Sequence, residues 1–168
     1  MKLFFLFILA SGILVFACGR VRGQQLDGGA VAQIDAFLSR QARKLKAEEY
    51  AEAREIAKGL IDGDGREDIA VVYTLEGFDG TNNWSRYVAV FRGTGRGRYA
   101  FVTMLAVGGK NYRNVELASV RNRQIRLKTE EHAPGDPSCC PTRPGHLILR
   151  LIGNRLKETS TRLRKDKG

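Results

Sequence analysis

Two stretches hold residue types that could do chemistry. In the first, Asp62-Gly63-Asp64-Gly65-Arg66-Glu67-Asp68, three aspartates are set around two glycines. That composition resembles loops that wrap calcium, a cation that takes roughly six to eight oxygen ligands. Asp62, Asp64 and Asp68 are thus the candidate calcium ligands. If Asp62, Asp64 and Gly65 take the third, fifth and sixth positions of such a loop, Asp68 falls at the ninth and Arg66 offers a backbone carbonyl. Leu60 and Val71 then occupy the first and last positions, where the strongest carboxylate ligands belong. The favoured reading is therefore a turn, with glycines at positive φ and aspartates bonded to local amides.

The second stretch is Cys139-Cys140-Pro141, which offers three readings. A disulfide between neighbours must close on Cα atoms about 3.8 Å apart, shorter than the usual span, and an oxidising compartment favours it. A metal site would recruit His132, Asp136 or His146, whose spacing matches no standard zinc motif. A redox or hydrolytic centre would pair the cysteines with His132 or His146, although redox motifs normally separate the two thiols. The favoured assignment is a structural bridge that rigidifies its loop.

Other catalytic patterns are missing from the sequence: there is no GxSxG, no HExxH and no phosphate-binding glycine loop. Glu130-Glu131 reads as solvated, and Gly93 to Gly97 as a hairpin loop, since no helix follows it. Asn82, Asn83 and Trp84 could stack on and hydrogen-bond a sugar or peptide, or Trp84 could enter the core.

The compartment decides how the charge is read. Met1-Lys2 precedes an uninterrupted apolar or small run, Leu3 to Ala17, and then Cys18. This is the pattern of a signal peptide over residues 1–23, too short and too soon polar for a membrane span. Val15-Phe16-Ala17-Cys18 resembles a lipobox, which makes Cys18 a candidate for lipidation, with ordinary cleavage near Gly19 or Gly23 as the alternative. The formal charge of +10 falls to +7 once Lys2, Arg20 and Arg22 are set aside. On an exported, periplasmic or envelope protein, that charge points to anionic lipid, lipopolysaccharide or cell-wall polymer and not to nucleic acid.

These sites need elements to position them. Val31, Ile34, Phe37, Leu38 and Leu45 recur at helical spacing, and Tyr50, Ala53, Ile56 and Ala57 continue it as one helix or two, with Lys58-Gly59 as the stop. From Asp68 the period changes to two. Ile69 to Leu75 is apolar on both faces and reads as a central strand. Strands follow at residues 84–92, 98–107, 113–120, 124–130, 146–152 and 155–159, joined by glycine-rich turns and one irregular stretch, residues 131–145. The expectation is one α+β domain over residues 24–159, an amphipathic N-terminal helix on an antiparallel meander of six or seven strands, followed by a basic mobile tail over 160–168.

In order, the blocks DGDGREDIAVVYTLEG, NNWSRYVAVF, VGGKNYRNV and DPSCCPT resemble a group of exported bacterial proteins of uncharacterised function. The DPSCCPT loop resembles that of LppP/LprE-type lipoproteins. The resemblance runs from Ile34 to Glu158 and departs at Leu60, where such sequences usually carry an acidic residue. It implies export and a compact β-rich domain, with no particular reaction or cofactor. The expected function is a non-catalytic binding or envelope-interaction module. The alternative is a hydrolytic or redox enzyme built on the Cys139-Cys140 loop and a nearby histidine.

Overall fold

A computed structural model describes residues 26–163. Residues 1–25, which include the expected signal peptide and Cys18, and residues 164–168 lie outside the described residues.

One helix, α1 (Gly28–Leu45), opens the domain. Asp27 caps it, its Oδ1 accepting from the Ala30 amide at 2.7 Å. Ala30, Ile34, Phe37 and Leu38 form its buried stripe. It ends at Lys46, whose backbone turns left-handed at φ 49° and donates to the Ala42 and Arg43 carbonyls. The expected continuation through Ala57 is therefore corrected. Residues beyond Lys46 become strands β1 (Glu48–Glu49) and β2 (Glu55–Gly59), separated by a single 3-10 turn at Ala51–Ala53. Both pair with the same edge of β3 (Asp68–Glu76), so they are one edge strand interrupted by a short excursion. Ile56 faces the helix side through its place opposite Val71. Arg54 holds the excursion in place. It donates to both Glu49 carboxylate oxygens at 2.7 and 2.8 Å and to Asp35 on α1 at 2.6 Å.

From β3 the chain is an antiparallel meander: β4 (Trp84–Gly95), β5 (Arg98–Gly109), β6 (Arg113–Arg121), β7 (Gln124–Glu131), β8 (Arg143–Ile152) and β9 (Arg155–Leu163). The sheet has nine strands. The two extra strands are the edge segments that the sequence periodicity hid inside a helix. Strand β9 runs to Leu163, paired with Gly145, so the first part of the expected tail is sheet.

The meander folds over on itself. Between β5 and β6 a single residue pair, Gly109 and Arg113, keeps the ladder, and β6 then comes against β2 and β9 against β5. Strand β3 is thus enclosed from two sides. Ile69, Val71, Tyr73 and Leu75 pack with α1, while Ala70 and Val72 join Val88, Val90, Val115, Ile125, Leu127, Leu147 and Leu149 in a second core between the two halves of the sheet. Tyr73 is buried in the helix-side core, and desolvation first, then the neighbouring Tyr87 and Glu49, pushes its hydroxyl well above the usual phenol range.

At the fold-over, Arg113 lies almost fully buried. Its Nε donates to the Val107 carbonyl at 2.6 Å, its terminal nitrogens pair with Glu131 at 3.4 Å and Glu158 at 3.1 Å, and it lies over the Tyr112 ring. One guanidinium thereby ties β5, β7 and β9 together. Beside it, a Cβ on Gly108 would sit 2.6 Å from the Arg113 carbonyl oxygen, a backbone atom with little room to yield. Gly108→Ala should therefore cost about 1–3 kcal/mol in denaturant unfolding, whereas Gly28→Ala, which meets nothing within 4 Å, should stay within about 0.5 kcal/mol of the parent.

Candidate functional site

The aspartate turn connects β2 to β3, so the element before it is a strand and not the expected helix. Its three carboxylates are engaged with the protein itself. Asp68 is fully buried: Oδ2 accepts from the Ile61 and Asp62 amides at 3.0 and 3.1 Å, and Oδ1 from the Gly93 amide at 3.0 Å. Asp62 accepts from the Asp64 amide at 2.9 Å and from Arg92 Nε at 2.6 Å, and Asp64 from the Arg66 amide at 2.8 Å. Gly63 and Gly65 both take φ of 86°. Arg123 closes the turn by donating to the Asp62 carbonyl at 2.8 Å. Burial works against the charged form of Asp62, but the Asp64 amide and Arg92 outweigh it and hold the carboxyl below its ordinary range. Among the described residues, no group of three or more His, Cys, Asp or Glu is placed to hold a metal ion. What the turn visibly does is carry buried Ile61 into one end of the inter-layer core and close it.

Cys139 and Cys140 are joined by a disulfide in an exposed loop spanning 132–142, shorter at both ends than the stretch expected. Asp136 organises this loop, accepting from the Ala133 amide at 2.7 Å and from the Thr142 amide and hydroxyl at 2.8 and 2.9 Å. The Ala133 amide is the main reason its carboxyl lies below the ordinary range, against the opposing effect of desolvation; Thr142 and the nearby His132 help. A bonded pair presents no thiolate as a nucleophile or metal ligand. His146 lies on β8, away from the loop's own hydrogen bonds.

A large concavity lies elsewhere, at the end of the inter-layer core opposite the aspartate turn, with a volume of about 1050 Å³. The strand registers explain it. Along the inter-layer face, β3 and β4 present Ala70 opposite Val90, Val72 opposite Val88, then Thr74 opposite Arg86 and Glu76 opposite Trp84. Strands β7 and β8 present Ile125 opposite Leu149, Leu127 opposite Leu147, then Thr129 opposite Gly145. Each pair of strands runs out of apolar side chains at the same end, and there the two layers part.

Arg86 and Glu55 hold the floor of this cleft. The buried Arg86 guanidinium donates to Thr74 Oγ1 at 2.8 Å and to Glu55 Oε2 at 2.6 Å. The same Glu55 oxygen accepts the Leu117 amide of β6 at 3.1 Å, which ties the edge strand to the second layer. Thr129 Oγ1 and Arg86 Nε are buried on this floor without a protein hydrogen-bond partner. Half-buried Trp84 and exposed Tyr50 stand on the walls. His146 and Lys128 reach the rim; the cysteines do not line the cleft. Of the residues singled out in the sequence, Trp84, Glu130 and His146 are thus brought to the cleft, while the aspartate turn and the cysteine loop lie apart from it. Tyr50 and Glu55 were hidden because helical spacing assigned them to α1. Thr74, Arg86 and Thr129 were visible only as polar residues at alternate positions of otherwise apolar strands, a signal that gains meaning once the register is known.

No protein-family model, curated protein or solved structure matches the chain.

Asp68 separates architecture from ligand binding. Asp68→Asn places an amide group against three N–H donors and should destabilise the fold by about 2–3 kcal/mol, with the thermal midpoint insensitive to added calcium or chelator. Because the Asp62 carboxyl is held below its unfolded-state value, its stabilisation is complete above the unfolded pKa and is lost as pH falls through the folded one. Asp62→Asn should accordingly flatten the acid limb of a pH-dependent melting curve.

Proposed function

We propose that the chain is an exported cell-envelope protein acting as a non-catalytic binding module, with the cleft between the two sheet layers as its ligand site. The observation that carries this reading is the cleft itself: a large concavity whose floor is a fixed Arg86–Glu55 pair beside an unpartnered buried hydroxyl, walled by aromatic rings. Such a mixture of apolar surface and a few oriented polar groups suits recognition. The N-terminal apolar run supports export, and resemblance to exported families with a Cys-Cys-Pro loop points the same way. Cys18, when lipidated, would add a membrane anchor.

The basic charge supports a second role, attraction to anionic envelope polymers or lipid. Arg40, Arg43 and Lys44 form one exposed stripe on α1, away from the cleft-lining strands. The exported protein should co-sediment with anionic vesicles, lipopolysaccharide or peptidoglycan, and raising salt from 0.05 to about 0.5 M should release it. Replacing the three cations by glutamine should weaken this binding severalfold with the melting temperature kept. Absence of binding to all three materials even at low salt contradicts the envelope-surface role.

A further inference from the structure

The cleft has the opposite electrostatic sign to the chain that builds it. Five glutamates line it, Glu52, Glu55, Glu76, Glu116 and Glu130, against the cations Arg86 and Lys128, which leaves a formal charge of −3 with His146 neutral. The whole sequence carries +10. Glu55 is neutralised by Arg86, and Glu130 accepts only a neutral amide, from Asn114 at 3.2 Å. Glu116 faces Lys128 directly across the β6–β7 ladder, whereas the side chains of Glu52 and Glu76 have no hydrogen bond or ion pair among the described residues. These uncompensated carboxylates surround low-dielectric walls, an arrangement that focuses the local field and concentrates cations. Screening at physiological ionic strength acts over about 8 Å, so a group inside the cleft senses these carboxylates more strongly than the basic outer surface.

We infer that the cleft binds a basic peptide segment, with an ammonium at the glutamate rim, its apolar stem against Trp84 and Tyr50, and a backbone amide at the floor by Thr129. This inference rests on the binding-module reading and names its ligand. Three features select the class. The rim carboxylates require a cation. The two aromatic walls suit an aliphatic stem ending in a cation, whose charge is attracted to ring faces. The floor includes buried Thr129, whose hydroxyl lacks a protein partner and can both donate and accept, as a peptide amide requires. An anionic ligand would meet the glutamates, and a neutral sugar would leave them without counter-charge.

Trp84 is the only tryptophan in the chain and reports directly on the site. The purified, exported full-length protein is titrated with a blocked lysine tetrapeptide, a blocked glutamate tetrapeptide and an uncharged N-acetylglucosamine tetramer, following Trp84 emission and, in parallel, heat of binding. The expected result is saturable binding of the lysine peptide alone, weakened as salt rises. Glu52→Gln with Glu76→Gln, both exposed and unpaired, should raise its Kd about tenfold without moving the melting temperature. Preference for the glutamate peptide or the neutral sugar overturns the assignment of ligand class while leaving a binding module intact. A lysine-peptide Kd unchanged in the double variant overturns the site, as does absence of a saturable response in both emission and heat. The envelope-surface role is judged separately, by co-sedimentation.

Discussion

From Asp68 to Leu75 strand β3 is buried on both faces, and the rest of the structure follows from that constraint. A strand apolar on both sides must be covered twice. The covering comes from α1 on one side and, on the other, from the same sheet folded back over itself. The fold-over leaves only one ladder pair between β5 and β6, so the backbone continuity lost there is replaced by the buried Arg113 guanidinium, which reaches three strands. Charge is buried at that point because it satisfies carbonyl and carboxylate groups on elements that no ladder connects.

The two ends of the inter-layer core have opposite fates. At one end the aspartate turn delivers Ile61 as a plug, and the buried Asp68 carboxylate binds the turn to β4. At the other, apolar residues give way to Thr74, Arg86, Thr129 and Gly145 in register, and the layers separate around a water-accessible space. The acidic stretch that looks most like a site is thus a fastening, and the proposed site lies at the far end of the strand it fastens. The Glu55 carboxylate links the two themes: one oxygen pairs the Arg86 guanidinium and accepts a β6 amide, so the ionic floor of the cleft also bridges the layers.

Much of the architecture is legible in the sequence. The change of period at Asp68, the glycine turns and the doubly apolar run Ile69 to Leu75 predict an antiparallel meander with a central strand and a covering helix, as observed. The failure at Tyr50 to Gly59 has a definite cause. Ala53, Ile56 and Ala57 keep a helical interval by chance, and the pairing that makes this segment a strand lies on β3, outside any local window. Without that edge strand, Tyr50 and Glu55 could not be placed on the cleft. Arg86 likewise looks like one charged residue in a strand until Thr74 and Glu55 are brought to it from elsewhere in the chain. Local signals located the turn and the cysteine loop because their chemistry is contiguous; the cleft is assembled from separate strands.

The proposed recognition of a cationic peptide at the open end of the inter-layer core can be mapped residue by residue. Amide chemical-shift mapping of the isotope-labelled exported protein during titration with the lysine tetrapeptide tests it most directly. The account predicts saturable shifts confined to Tyr50, the Thr74–Glu76 end of β3, Trp84 to Arg86, and the Val115 and Thr129 region. Shifts centred instead on the aspartate turn or the cysteine loop, or spread without saturation over surface carboxylates, would contradict it.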